Sequence, residues 1–147
     1  MTAASLFPWK GAMTAVSFVP TRPGDARALS ELRRRVRLTT YRGIYPDDRL
    51  DQVDYAFHDE RNRAWIASTR HAVFLIALEG ENIGCLILVK GNPLRVQLLY
   101  LLEAYRGRGY GREAMAFIRE ACRRHGASLF FLTCHPRNGR ALGWAFL

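Results

Sequence analysis

Apolar and polar positions alternate, run together or recur at helical spacing in an order that predicts most of the elements of this chain. Met13 to Pro20 alternates as a strand and leads into a turn at Arg22-Pro23-Gly24. Asp25 then stands where a helix cap is expected, before a helix running to about Tyr41 with Ala28, Leu29, Leu32 and Val36 as its apolar positions. Pro46-Asp47-Asp48 opens a second helix near Arg49 to His58. Val73 to Leu78 and Ile83 to Val89 are apolar runs around Glu79-Gly80-Glu81-Asn82, the pattern of a hairpin. Gly91-Asn92-Pro93 turns the chain into a strand from Arg95 to Leu102. From Arg112 to His125, Ala114, Met115, Ile118, Ala121 and Cys122 share one helical face, and Gly126 supplies a stop. Leu129 to Thr133 is a further strand. This order predicts a mixed α/β domain: a hairpin-built sheet, with a parallel pairing after the crossover helix.

Between the strand ending at Leu102 and the helix opening at Arg112 lies Tyr105-Arg106-Gly107-Arg108-Gly109-Tyr110-Gly111. A strand that breaks into glycines and then starts a helix aims several backbone N–H groups at one point, with the positive end of the helix dipole behind them. Such a loop is an anion cradle, and glycine is the residue that takes positive φ there and admits a phosphate to the backbone. The same string also reads as a flexible Arg/Gly segment touching RNA, but a strand before it and an amphipathic helix after it favour the cradle.

Arg106-x-x-Gly109-x-Gly111, preceded by Leu99-Tyr100-Leu101, resembles the acetyl-CoA signature of the GCN5-related N-acetyltransferases (GNAT). Leu129-Phe130-Phe131-Leu132-Thr133 followed by Asn138-x-x-Ala141 is similar to that family's next strand and helix start. Thr40 to Asp47 resembles the region between its first two helices. The likeness runs from about Val16 to Phe146. It implies the GNAT fold, a central, mostly antiparallel sheet flanked by helices, with a parallel pair splayed at the acetyl-CoA site. It also implies transfer of acetyl from acetyl-CoA to a primary amine of a small molecule or protein by direct attack. The residues it assigns to acetyl-CoA are Leu101 and Leu102 on the strand, Arg106, Gly107, Arg108, Gly109, Tyr110, Gly111 and Arg112 in the loop and helix start, and Asn138. The pyrophosphate is expected on the N–H groups of Arg106 to Gly111, and free N–H groups near Leu101 would hold the oxyanion. Tyr41, Arg42, Tyr45, Asp47 and Asp48 are expected on the acceptor side.

The chain departs from the family at the catalytic positions. The glutamate that often serves as base, eleven residues before the signature arginine, is Arg95, which cannot accept a proton at neutral pH. Gln97 is left to hold a water or to serve as a polar spacer. The tyrosine that often protonates the leaving thiolate is Ala145, with Tyr100 and Tyr110 as substitutes. Glu103 stands where the strand commonly ends in proline.

Two expectations about extent follow, the first from the strand that begins at Met13 and the second from the resemblance. Residues 1–12 are expected to be an arm outside the fold, with Met13 a candidate start, and 13–147 the acetyltransferase domain. The chain stops at Leu147 within the helix beginning near Asn138, so the family's final strands are expected to be missing. A truncated or frameshifted product, a fragment, or a homodimer covering the open sheet edge would each account for this.

Composition adds less. With 147 residues and 49% apolar content the chain suits one core-bearing domain. Its 22 basic residues, 20 of them arginine, against 13 acidic ones leave a net charge of +9, which attracts nucleic acid, anionic membrane or acidic ligands without choosing among them. Arg33, Arg34, Arg35 and Arg37 read as a solvated face. Cys85, Cys122 and Cys134 lack metal-ligand spacing and read as reduced core or near-core thiols; His58, His71, His125 and His135 are scattered, so no metal is expected. No apolar run reaches the ~20 residues of a membrane span, giving the expectation of a soluble, cytoplasmic protein without a membrane partner. A non-catalytic domain binding CoA, a nucleotide or nucleic acid, or an inactive truncated acetyltransferase, stands as the alternative function.

Overall fold

The computed structural model of the protein describes residues 15–52 and 54–132. Among these, β1 (Ser17–Pro20), α1 (Ala26–Thr40), α2 (Asp47–Asp51), α3 (Tyr55–Ala67), β2 (His71–Leu78), β3 (Glu81–Val89), β4 (Leu94–Leu101), α4 (Tyr110–Arg124) and β5 (Phe130–Leu132) follow in chain order. The strands form one sheet in the order β1-β2-β3-β4-β5. The first three pairings are antiparallel; β4 and β5 run parallel, with Leu94 opposite Phe130 and Val96 opposite Leu132. The fold class expected from the sequence is the one observed. Asn138, Ala145, His135, Cys134 and the sheet edge beyond β5 lie outside the described residues.

Both faces of the sheet are covered, which is why β2 and β3 are written as nearly unbroken apolar runs rather than alternating ones. On one face α4 buries Ala114, Met115, Phe117, Ile118, Ala121 and Cys122 against Phe18, Phe74, Leu86 and Val96. Phe117 stacks on Phe18 at 4.2 Å between ring centroids and meets Phe74 edge-on at 5.1 Å. The other face packs Leu29, Leu32 and Val36 of α1 on Val73, Leu75, Cys85, Ile87 and Leu98. Glu113 on α4 accepts the Ala15 and Val16 N–H groups at 2.7 and 3.3 Å, fixing the start of β1 to that helix.

Helix ends follow local chemistry, with two departures from the sequence reading. Gly126 (φ +67°) stops α4 as predicted, and the Ala127 N–H closes on the Cys122 carbonyl at 3.0 Å. Asp25 stands at the α1 cap position, but its carboxylate accepts the Arg22 N–H at 2.8 Å and makes no cap bond to the helix. The predicted helix from Arg49 to His58 is two helices, because Gln52 turns extended and Asp54 starts α3 by accepting the Phe57 N–H at 3.0 Å. The second of them runs on to Ala67. Its fully buried residues are polar, with Trp65 and Ile66 only partly buried at its end, so no apolar stripe announces it.

Those buried polar residues hold α3 to α1. Asp59 and Asn62 are buried; Asp59 accepts from Ser30 Oγ at 2.6 Å and from Arg27 Nε at 2.7 Å, and Asn62 Nδ2 donates to Ser30 Oγ at 2.8 Å. The Ser30 hydroxyl foremost, with Arg27, holds the Asp59 carboxyl below its ordinary value. A carboxyl with a lowered folded-state pKa contributes stability above its unfolded value and loses it as pH falls toward the folded one. Denaturation curves across the acid range should therefore show stability dropping below the ordinary carboxylate range, and Asp59→Asn should flatten that drop.

β3 and β4 approach unusually closely at Gly84. A Cβ there would overlap the Tyr100 carbonyl oxygen and come within 2.9 Å of Leu101 Cδ2. Only a glycine lets the two backbones meet. Gly84→Ala should lower unfolding stability by about 1–3 kcal/mol in urea titrations. Gly24→Ala, with open space around the added methyl, should shift it by less than about 0.5 kcal/mol.

Candidate functional site

The site is built on the hydrogen-bonding phase of β4. Leu102 N–H donates to the Ile83 carbonyl at 2.8 Å, and the β3–β4 register sets Gly84 opposite Leu101 and Cys85 opposite Tyr100. In an antiparallel ladder bonded and non-bonded pairs alternate. The main-chain groups of Leu99 and Leu101 therefore face away from β3, toward the side where β5 pairs with β4. That pairing spans Leu94–Val96; from Gln97 onward β4 has no strand partner on this side among the described residues. Leu102, by contrast, spends its N–H inside the sheet.

A bulge at Gln97 separates these two stretches of β4, since Ile87 pairs with Leu98 but Leu88 with Val96. Leu94 and Val96 before it, and Leu101 after it, lie in the α4 core, whereas Leu98 and Leu102 lie in the α1 core. Gln97 accepts from Arg95 Nη2 at 3.2 Å. Arg95 is exposed, on the solvent side of a strand whose alternate positions are buried.

After β4 the chain makes a single 3-10 turn over Glu103–Tyr105. Arg106 N–H closes it on the Glu103 carbonyl at 3.2 Å, so this amide is not available to a ligand as the sequence suggested. The Arg106 side chain turns back: Nε donates to the Leu101 carbonyl at 3.1 Å and Nη2 to Thr40 Oγ1 at 2.6 Å. This guanidinium ties the end of β4 to the last turn of α1. Tyr105 donates its hydroxyl to Glu81 Oε2 at 3.0 Å, and the Arg108 guanidinium stacks over the Tyr105 ring at 5.7 Å.

Gly107 (φ +75°) and Gly109 (φ +89°) take left-handed conformations, and a Cβ at either would project into open space. Gly109 caps α4, whose first hydrogen bond runs from Glu113 N–H to its carbonyl at 3.2 Å. From Gly107 to Arg112, no backbone N–H finds a carbonyl partner among the described residues. These six consecutive amides, the last three at the positive end of a 15-residue helix, lie in the loop where the sequence leads to the expectation of an anion cradle.

The profile of the acetyltransferase (GNAT) family matches residues 35–145. The chain belongs to this family. No curated protein sequence matches it, but solved structures share its fold. PaiA N-acetyltransferase from Thermoplasma acidophilum, in complex with coenzyme A, superposes with a TM-score of 0.77 at 17% identity, over 90% of this chain and 87% of that one. An acetyltransferase from Thermus thermophilus gives 0.71 at 20% identity, over 90% and 84%. An aminoglycoside acetyltransferase from an uncultured soil metagenomic sample, in complex with sisomicin, gives 0.67 at 14%, over 90% and 86%.

In this GNAT domain the two tyrosines read as proton donors stand apart. Tyr100 packs in the α1 core, where burial foremost pushes its phenol up to about 12. Tyr110 packs against the α4 core at the start of that helix. Of the residues expected on the acceptor side, Tyr41 and Tyr45 bring their rings to 5.2 Å. Arg42 pairs with Asp47 at 3.1 Å and Asp51 at 2.9 Å, so Asp47 is engaged, and Asp48 is exposed. Arg112 is exposed beside the cradle. Sequence reasoning placed Thr40 in the Thr40 to Asp47 stretch without the contact to Arg106, and missed Gly84. A lone glycine inside an apolar strand was the available signal for Gly84; no local pattern marks the Thr40 contact.

Removing the Arg106 clamp leaves the Leu101 carbonyl and Thr40 hydroxyl without their donor. Arg106→Gln should cost about 1–3 kcal/mol in chemical denaturation. A double-mutant cycle with Thr40→Val should show that the two effects are not additive.

Proposed function

We propose that this GNAT-family chain is an N-acetyltransferase that moves an acetyl group from acetyl-CoA to a primary amine of a small molecule or protein by direct attack. The run of unpartnered amides from Gly107 to Arg112 carries the reading. It fits a pyrophosphate: two left-handed glycines with open space above them, a helix start behind, and exposed Arg108 and Arg112 alongside. When bound, acetyl-CoA supplies the activated thioester. Leu99 and Leu101 present main-chain groups to the pantetheine arm on the open side of β4, and the Leu101 N–H is the donor available to a developing oxyanion. The Leu101 carbonyl already serves Arg106.

Proton movement rests on few groups. The amine must arrive neutral, and Arg95 accepts no proton. Tyr100, with its phenol raised to about 12, keeps its proton at neutral pH and does not serve as the base. The second reading, a binder of CoA or nucleic acid without turnover, is favoured by Arg95 at the usual base position.

Titration calorimetry should give saturable acetyl-CoA binding, weakened more than about tenfold by Gly109→Val or Gly111→Val in protein whose circular dichroism is unchanged. Thiol release with a panel of primary amines separates turnover from binding alone. Tight, steeply salt-dependent RNA binding with indifference to acetyl-CoA would sink the proposal.

A further inference from the structure

The run Arg33, Arg34, Arg35 and Arg37, expected as a solvated face, is divided by the fold. Arg35 is exposed, but Arg33, Arg34 and Arg37 turn into a cleft between α1, α2 and α3 that also takes in Leu50, Gln52 and His58. The Nε atoms of Arg33 and Arg34 are buried and have no acceptor among the described residues. Arg33 donates one Nη to Asn62 Oδ1 at 2.9 Å and lies over the Trp65 ring at 5.0 Å. The Arg34 and Arg37 guanidiniums make no ion pair among the described residues.

Among the described residues, which hold all 13 acidic side chains, no carboxylate lines the cleft; Asp54, which caps α3, is the acidic group whose charge reaches His58. Asp59 is engaged by Arg27 and Ser30, and Asp47 and Asp51 by Arg42. Three guanidiniums drawn partly out of water, with two buried donors unmet, are costly unless an anion completes them.

We propose that this cleft binds a phosphate group, free or at the end of a small molecule. Three cations lining one cleft match a dianion better than a monoanion, and a tetrahedral phosphate offers its oxygens in more directions than a planar carboxylate. The cleft measures about 20 Å³, on the scale that admits one water-sized group. It admits one phosphoryl oxygen and leaves the phosphorus, its other oxygens and any attached group at the mouth. Burial foremost, then Arg33 and Arg37, lower the His58 pKa, so at neutral pH the ring adds a hydrogen-bond donor without adding charge. The site lies on the α1 side of the sheet, whereas the glycine loop opens α4 on the other, so it is separate from the acetyl-CoA cradle.

Arginine Nε–H resonances of the full chain, titrated with inorganic phosphate, phenyl phosphate and acetate, test this. The Arg33 and Arg34 signals should shift saturably with phosphate, at least about tenfold more tightly than with acetate. Arg37→Gln should weaken phosphate binding by about tenfold, and Arg35→Gln should leave it unchanged. If Arg37→Gln does not fold, Arg34→Gln read at the Arg33 signal makes the same comparison. Phenyl phosphate binding as tightly as phosphate assigns the site to a phosphate-bearing small molecule; weaker binding assigns it to free phosphate. Shifts that do not saturate, that are equal for acetate and phosphate, or that are unaffected by Arg37→Gln or Arg34→Gln overturn the proposal.

Discussion

The ladder between β3 and β4 is the constraint on which the candidate site depends. Because Leu102 N–H is spent on the Ile83 carbonyl, the main-chain groups of Leu101 must face the other way. Its carbonyl is then within reach of Arg106, and Arg106 in turn reaches Thr40 at the end of α1. A slip of one residue would reverse every one of these directions. Gly84 keeps the ladder in this register by letting the Tyr100 carbonyl come where a Cβ would stand.

The bulge at Gln97 works with that ladder. It moves the apolar phase of β4 from one face to the other, so that Leu98 and Leu102 serve the α1 core while Leu101 serves the α4 core. The bulge also falls where the described pairing with β5 stops. One strand thus anchors the sheet at its start, and at its end, among the described residues, it has no strand partner on the β5 side. The glycine loop continues from that end and delivers its amides to the start of α4.

The two sides of the sheet use arginine differently. Near the cradle, Arg106 is a brace with its donors satisfied by backbone and hydroxyl oxygens, while Arg108 and Arg112 remain at the surface. On the α1 side, Arg27 is satisfied by Asp59, but Arg33, Arg34 and Arg37 share a cleft without a carboxylate. A net charge of +9 does not distinguish these situations. Partner and burial do, because a guanidinium in water costs nothing and one held against a core without an acceptor does.

The loop from Arg106 to Gly111, the hairpin and α4 were legible in the sequence because local rules dictate them. Positive φ requires glycine at 107 and 109, a two-residue turn joins two apolar runs, and one apolar face winds at helical spacing. α3 was half hidden because its buried face carries Asp59 and Asn62, satisfied by residues of α1 some thirty positions earlier. Which amide of the loop is free, which way Leu101 faces, and which arginines meet an acceptor were settled by the tertiary structure alone. Hydrogen-bond phase and guanidinium partners come from strands and helices distant in sequence, and no local pattern encodes a contact whose other half lies sixty-six residues away, as between Arg106 and Thr40.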